Sequence, residues 1–173
     1  MYVPTSGSVQ LEALRQVLDP VQARLIPAHV TLCREDEIGQ LLDTDIEARL
    51  RGSEAQPVAL GFGRPVSFDG HGVLLPCVAG EQAFHDLRTQ VLGATAIRRH
   101  SPHLTLAHPR NPPPGKGSTA DAMGLLAETL SFTFAQIVSI EQLGEASPWR
   151  VLRSFTLTCP ASPMPVSVVR ERN

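Results

Sequence analysis

The chain has 173 residues, 42% apolar and 18% charged, with 15 Lys plus Arg against 17 Asp plus Glu for a formal charge of −2. That length can bury a real core as one domain or two small lobes. The near-neutral balance excludes a global basic field able to hold a nucleic-acid polymer or an anionic membrane, and suits a small phosphorylated ligand or a polymer end.

In chain order, "MYVPTSGSVQLEALRQ" has neither a basic n-region nor an apolar h-region, so no signal peptide is expected. Val9, Leu11, Leu14, Val17 and Leu18 predict a helix over residues 8–18 with Ser8 as its cap, and Asp19-Pro20 ends it or bends the chain. "HVTLC" reads as a short strand. "DEIGQLLDTDIEARLR" reads as a second helix whose apolar face is Ile38, Leu41, Leu42, Ile46 and Leu50. Residues 57–80 read as two or three strands with a hairpin turn at Asp69-Gly70-His71-Gly72.

The order then repeats. A helix is expected from Glu81 to about Leu92, with Phe84, Leu87 and Val91 on one side, then a strand "HLTLA", then a helix over about 120–130. "SFTFAQIVSIEQLG" and "WRVLRSFTLTC" close the chain as long strands. The Pro/Gly-rich segment 109–120 reads as a loop and 161–173 as an extended tail, leaving 1–160 as one domain of two pseudo-symmetric lobes. The expected class is α+β, bilobal and internally duplicated, with two antiparallel sheets lining a central cleft and helices outside.

Cys33, Cys77 and Cys159 are odd in number, far apart and not spaced as metal ligands. They argue for reduced thiols in a soluble cytoplasmic protein. No apolar run approaches the roughly 20 residues a membrane span needs.

One pattern occurs twice: "HVTL" at residues 29–32 and "HLTL" at 103–106. Alternation along a strand puts His29 with Thr31 and His103 with Thr105 on one face, and the aliphatic residues between them on the other. Two such matches arise by chance in roughly one chain in a hundred of this composition. An imidazole titrates near neutrality and serves as general acid or base, and a Thr hydroxyl donates a hydrogen bond to a phosphate oxygen.

On these motifs the chain resembles the 2H phosphoesterase superfamily, which includes 2′-5′ RNA ligase-like proteins and RNA 2′,3′-cyclic phosphodiesterases. The resemblance in element order covers about residues 8–159. The family often opens with a full strand before its first helix, and here only "MYVPT" is left for that part. The resemblance implies a cyclic phosphodiesterase acting on RNA ends or small nucleotides. It implies His29 and His103 as acid and base, Thr31 and Thr105 as phosphate ligands, and no metal or other cofactor. It favours His103 as base and His29 as acid, with a 2′-phosphate product. A non-catalytic nucleotide or RNA-end binder and a 2′-5′ RNA ligase are the alternatives. A monomer is expected, with a cyclic-phosphate nucleotide or RNA terminus as its partner.

Arg98, Arg99 and His100 precede the second motif, and Arg110 and Lys116 follow it. Each could meet a phosphate, but a solvated charge is the commoner fate, and Arg110 is the first choice among them. Trp149 could stack on a base, although core packing is commoner. Cys33 reads as a small filler and Arg34 as structural or exposed. His71 reads as surface, and His85 and His108 are given no role. "GKGST" at 115–119 lacks the first glycine of a phosphate loop and has Gly117 after its Lys.

Overall fold

The sequence periodicity is realised most fully where helices lie on sheet. Helix α1 (Thr5–Leu18) buries Leu11, Leu14, Arg15 and Leu18, an i, i+3, i+4, i+7 stripe. It begins ahead of the expected start, after Pro4, and Ser8 does not cap it. Val9 and Val17 lie off the stripe and are exposed, while the charged Arg15 takes a core position. The computed structural model describes residues 1–39, 41–93, 98–113, 124, 126, 129–144 and 146–158. The "GKGST" stretch, Cys159, the 161–173 tail and most of the expected 120–130 helix lie outside them.

Asp19 does not lead into a loop. Its carboxylate accepts from Gln22 N at 2.9 Å and caps a short helix α2 (Pro20–Leu25) with Pro20 at its first position. The expected helix over 36–51 is interrupted after Gly39, giving α3 (Glu35–Ile38) and α4 (Asp43–Gly52). Ile46 and Leu50 are buried and Leu42 is exposed. Helix α5 (Glu81–Leu92) keeps its expected bounds. It starts at Gly80, whose φ of 86° suits glycine and where a Cβ would lie 2.1 Å from the Ala59 carbonyl oxygen.

The fold is α+β with two antiparallel sheets. The larger contains β1 (Val58–Phe62), β2 (Val66–Phe68), β3 (Gly72–Ala79), β4 (His103–Ala107) and β5 (Leu130–Phe134). The smaller is a hairpin of β6 (Gln136–Glu141) and β7 (Arg150–Thr156). The expected long strand over 131–144 is therefore two strands. They part at Ala135, whose carbonyl receives Leu157 N at 2.8 Å. β2 and β4 flank β3, β1 pairs with the far end of β3, and β5 pairs with β1. The β2–β3 turn falls at Asp69 and Gly70, both with positive φ, as expected of a hairpin.

"HVTLC" is not a regular strand. Met1–Val3 pairs with Ala28–Val30 through Met1 N to Val30 O (2.8 Å), Val30 N to Met1 O (2.8 Å) and Val3 N to Ala28 O (2.9 Å). "MYV" thus serves as the brief opening strand.

The repetition reaches individual positions. Leu11, Leu14, Arg15 and Leu18 of α1 recur 73 positions later as Phe84, Leu87, Arg88 and Val91, the buried set of α5. Tyr2 bridges His29 as Pro76 pairs with His103, each 74 positions on. Arg15 donates to Glu12 (2.7 Å) and to Ile26 O (2.9 Å). Arg88 donates to Glu37 (2.6 Å), to Arg98 O (3.1 Å) and to Leu32 O.

Removing one partner of a buried ion pair leaves a charge uncompensated. Glu37 is the only carboxylate bonded to the fully buried Arg88 among the described residues. Glu37→Ala is expected to lower unfolding free energy by about 3 kcal/mol in urea titrations. A loss below about 1 kcal/mol would show that Arg88 does not depend on it.

Candidate active site

The second motif is built by the β3–β4 ladder. Partners across an antiparallel pair share a face, so His103 lies beside Pro76 and Thr105 beside Leu74. Leu104 and Leu106 face the other way and are fully buried. The register shifts between Val73 and Leu74, a bulge that follows Thr105. In the first motif Val30 and Leu32 are buried, and the Tyr2 bridge puts Tyr2 on the face of His29. His29, Thr31, His103 and Thr105 are all half-buried.

Both imidazoles are held by the same local bond. His29 Nδ1 lies 2.9 Å from Pro27 O, and His103 Nδ1 lies 3.0 Å from Ser101 O. A carbonyl only accepts, so Nδ1 carries the proton and Nε2 of the neutral ring is the free base. In each case the acceptor is two residues upstream. The hydroxyls of Thr31 and Thr105 have no hydrogen-bond partner among the described residues.

Burial lowers the His29 pKa to about 4. Its bond to Pro27 O opposes that shift, and the positive charges of the N-terminal amine, Arg15 and His103 add to it. His29 therefore lies within electrostatic reach of His103. The ring is also edge-on to Tyr2, with centroids 6.4 Å apart. Burial raises the Tyr2 pKa.

His100 departs from the expected solvated charge. It is 8% exposed, and its Nε2 lies 3.0 Å from Thr31 O. Its ring is 5.7 Å from that of His103 and 6.0 Å from that of Phe84. Arg98 is exposed and pairs with Asp36, and Arg99 and Arg34 are exposed. Burial pushes the Cys33 thiol up to about 11, so it stays protonated and uncharged, as suits a filler.

Arg110 and Trp149 stand apart from the four motif residues. Arg110 is exposed, with its N–H directed to His108 Nδ1 at 3.2 Å. Trp149 is half-buried just ahead of β7, and its N–H bonds Leu25 O at 2.9 Å. Neither has a hydrogen bond, ion pair or ring contact with His29, Thr31, His103 or Thr105 among the described residues.

The loop carrying Arg110 is anchored by a residue that sequence reading treated only as a helix end. Asp19, 2% exposed, accepts from His108 N (2.9 Å) and twice from Asn111 Nδ2 (2.8 and 2.9 Å). His71, expected at the surface, is half-buried and bonds Asn111 O at 2.8 Å. His85 pairs loosely with Glu81 at 3.4 Å. Asp19 announced itself only as a residue before proline, since its partners are 89 and 92 positions away.

No three His, Cys, Asp or Glu side chains cluster as a metal site would among the described residues. Nor is any helix among them long and apolar enough to cross a membrane.

No family model matches the chain, and no curated protein does. A solved structure described as "Crystal structure of phosphoesterase" is similar over 86% of this chain and 94% of that one, at a TM-score of 0.43 and 15% identity.

The His29 environment has a consequence for stability. Its pKa is about 4 when folded against an ordinary 6.5, so between those values the unfolded chain binds more protons. Stability is then lost as pH falls through that window. Allowing for the open side of the ring, the loss attributable to His29 between pH 6.5 and 5 is about 1 kcal/mol. Urea unfolding of the wild type and of His29→Phe at both pH values should give a shallower dependence in the variant. Equal slopes would show that His29 titrates normally.

Proposed function

We propose that the chain is a 2H-type cyclic phosphodiesterase that opens a 2′,3′-cyclic phosphate on an RNA end or small nucleotide. The observation that carries this reading is the matched pair of imidazoles. Each has Nδ1 tied to the carbonyl two residues upstream, and each is followed two residues on by a Thr hydroxyl without a described partner. A structural His needs no such duplicate.

In this mechanism one Nε2 accepts a proton from water as the water oxygen attacks phosphorus. The other Nε2–H protonates the ribose oxygen as its bond to phosphorus breaks, giving a phosphomonoester and a free hydroxyl. The Thr hydroxyls donate to the non-bridging oxygens, where negative charge builds. Both protons are handled by protein side chains, so no metal is required by this scheme.

The burial of His29 favours it as the base, opposite to the assignment the resemblance implies. A ring held neutral at pH 7 is in the state a base needs. A bound phosphate anion raises its pKa back toward the working range, because an opposite charge favours the imidazolium. His103 then supplies the leaving-group proton.

The test is hydrolysis of 2′,3′-cyclic nucleotides and of RNA oligomers ending in a cyclic phosphate, in a chelator. His29→Ala and His103→Ala should each lower kcat/KM by about 10²–10⁴-fold. Thr31→Val and Thr105→Val should cost about 10–100-fold, with the fold intact by circular dichroism. Wild-type protein that turns over none of these substrates, or undiminished turnover in both His variants, would overturn the reading.

A further inference from the structure

We infer that His100 is a positioning residue that joins the two motifs into one site, with its two faces doing separable work. This rests on the reading of His29, Thr31, His103 and Thr105 as a phosphate site.

His100 holds opposite halves of the chain at once. Its Nε2–H donates to the carbonyl of Thr31, 69 positions away, at 3.0 Å. Its ring meets His103 edge-on, with centroids 5.7 Å apart and planes at 71°. On the other side it leans on Phe84 of α5 at 6.0 Å, a side chain with no exposed surface. The backbone of one motif and the ring of the other are thus fixed by one buried side chain, itself fixed by the core.

The bond sets the His100 tautomer. With Nε2 donating to a carbonyl, the neutral ring is complete and Nδ1 carries a lone pair. Burial lowers the His100 pKa, and the charges of Arg88 from α5, His103 from β4 and Arg34 beyond the first motif add to this. A neutral ring restrains His103 without adding a second positive charge beside it.

The equivalent position of the first half, 74 residues earlier, is Ile26, buried at 2% exposure. Its side chain donates no hydrogen bond, and its own carbonyl is taken by Arg15. An aliphatic group there fills the core, whereas the imidazole at 100 also spans to the other motif. This is a break in the repeat at a place where packing alone would accept Ile.

Two substitutions separate the functions. His100→Phe keeps a ring against His103 and Phe84 but removes the donor to Thr31 O. His100→Gln keeps an amide donor and removes the ring. Imidazole and amide nuclear magnetic resonance is measured on full-length wild type and both variants, with titrations of inorganic phosphate and adenosine 2′-monophosphate. In the Phe variant the Leu32 amide, whose peptide carries the Thr31 carbonyl, should shift. Nucleotide affinity should fall at least 5-fold, and the His103 ring resonances should stay near their wild-type positions. In the Gln variant the Leu32 amide should hold and the His103 ring resonances should shift, because the aromatic ring that meets them edge-on is gone.

The inference is overturned if both variants keep the wild-type Leu32 amide shift and His103 ring shifts. It is equally overturned if only the unfolding midpoint changes, which would leave His100 as packing. Wild-type protein that binds neither phosphate nor nucleotide would sink the functional reading instead. The Leu32 and His103 signals would still decide whether His100 couples the motifs.

Discussion

A guanidinium with no exposed surface sits where the two halves of the chain meet. Taking such a charge out of water costs several kcal/mol, recovered only when its donors are matched. Arg88 is matched by the Glu37 carboxylate, the Leu32 carbonyl that ends the first motif and the Arg98 carbonyl ahead of the second. Burial pushes the Glu37 carboxyl up, but hydrogen bonds from Arg88 and Arg34 N outweigh that and hold its pKa below the usual value. Among the described residues Arg88 Nε has no partner, so part of that cost is not recovered. The backbone on both sides is therefore pinned by one side chain, and the site's geometry follows from that pin.

Arg15 repeats the device in the first half, with Glu12 in place of Glu37 and Ile26 O in place of Arg98 O. Its Nε is also unmatched among the described residues. Glu12 additionally accepts from Ala28 N, directly before His29. In both halves a helix sends a guanidinium beneath the approach to a motif, and the local Nδ1–carbonyl bond then orients the imidazole above it. The backbone is fixed from below by a charge network and the ring from beside by its own chain. Two supports of different range hold each histidine.

Much of this was legible where short-range pattern decides the outcome. α5 and β4 were legible because apolar period and flanking glycine or proline agree there. The face of His103 and Thr105 followed from alternation alone. The first motif was less regular than expected, because its partner strand is only Met1–Val3 and a ladder that short gives one bridge. The long 131–144 pattern hid a switch of sheet at Ala135, since Phe132 and Phe134 must reach the core beside β1 and Ile137 lies past the break. Nothing in the local sequence marks Arg15, Arg88 or His100 as buried. Their burial depends on carbonyls and carboxylates up to 69 positions away, which no local window contains.

The repeat is close at His, Thr and Arg but broken beside them, and the breaks fall where a symmetric site would be chemically undecided. In the proposed reaction, two equivalent imidazoles could not tell which is to give a proton and which to take one. Here His29 has an aromatic neighbour in Tyr2, while its counterpart has Pro76. His103 has an imidazole neighbour in His100, and the position equivalent to His100 in the first half is the buried Ile26. Burial lowers the His29 pKa to about 4, and His103 meets a polar ring bonded into the other half. A duplicated scaffold supplies matched positions for both groups, and a few unmatched side chains give the two positions different surroundings. The asymmetry that the proposed acid–base pair calls for lies in residues 2, 76 and 100, not in the motifs themselves.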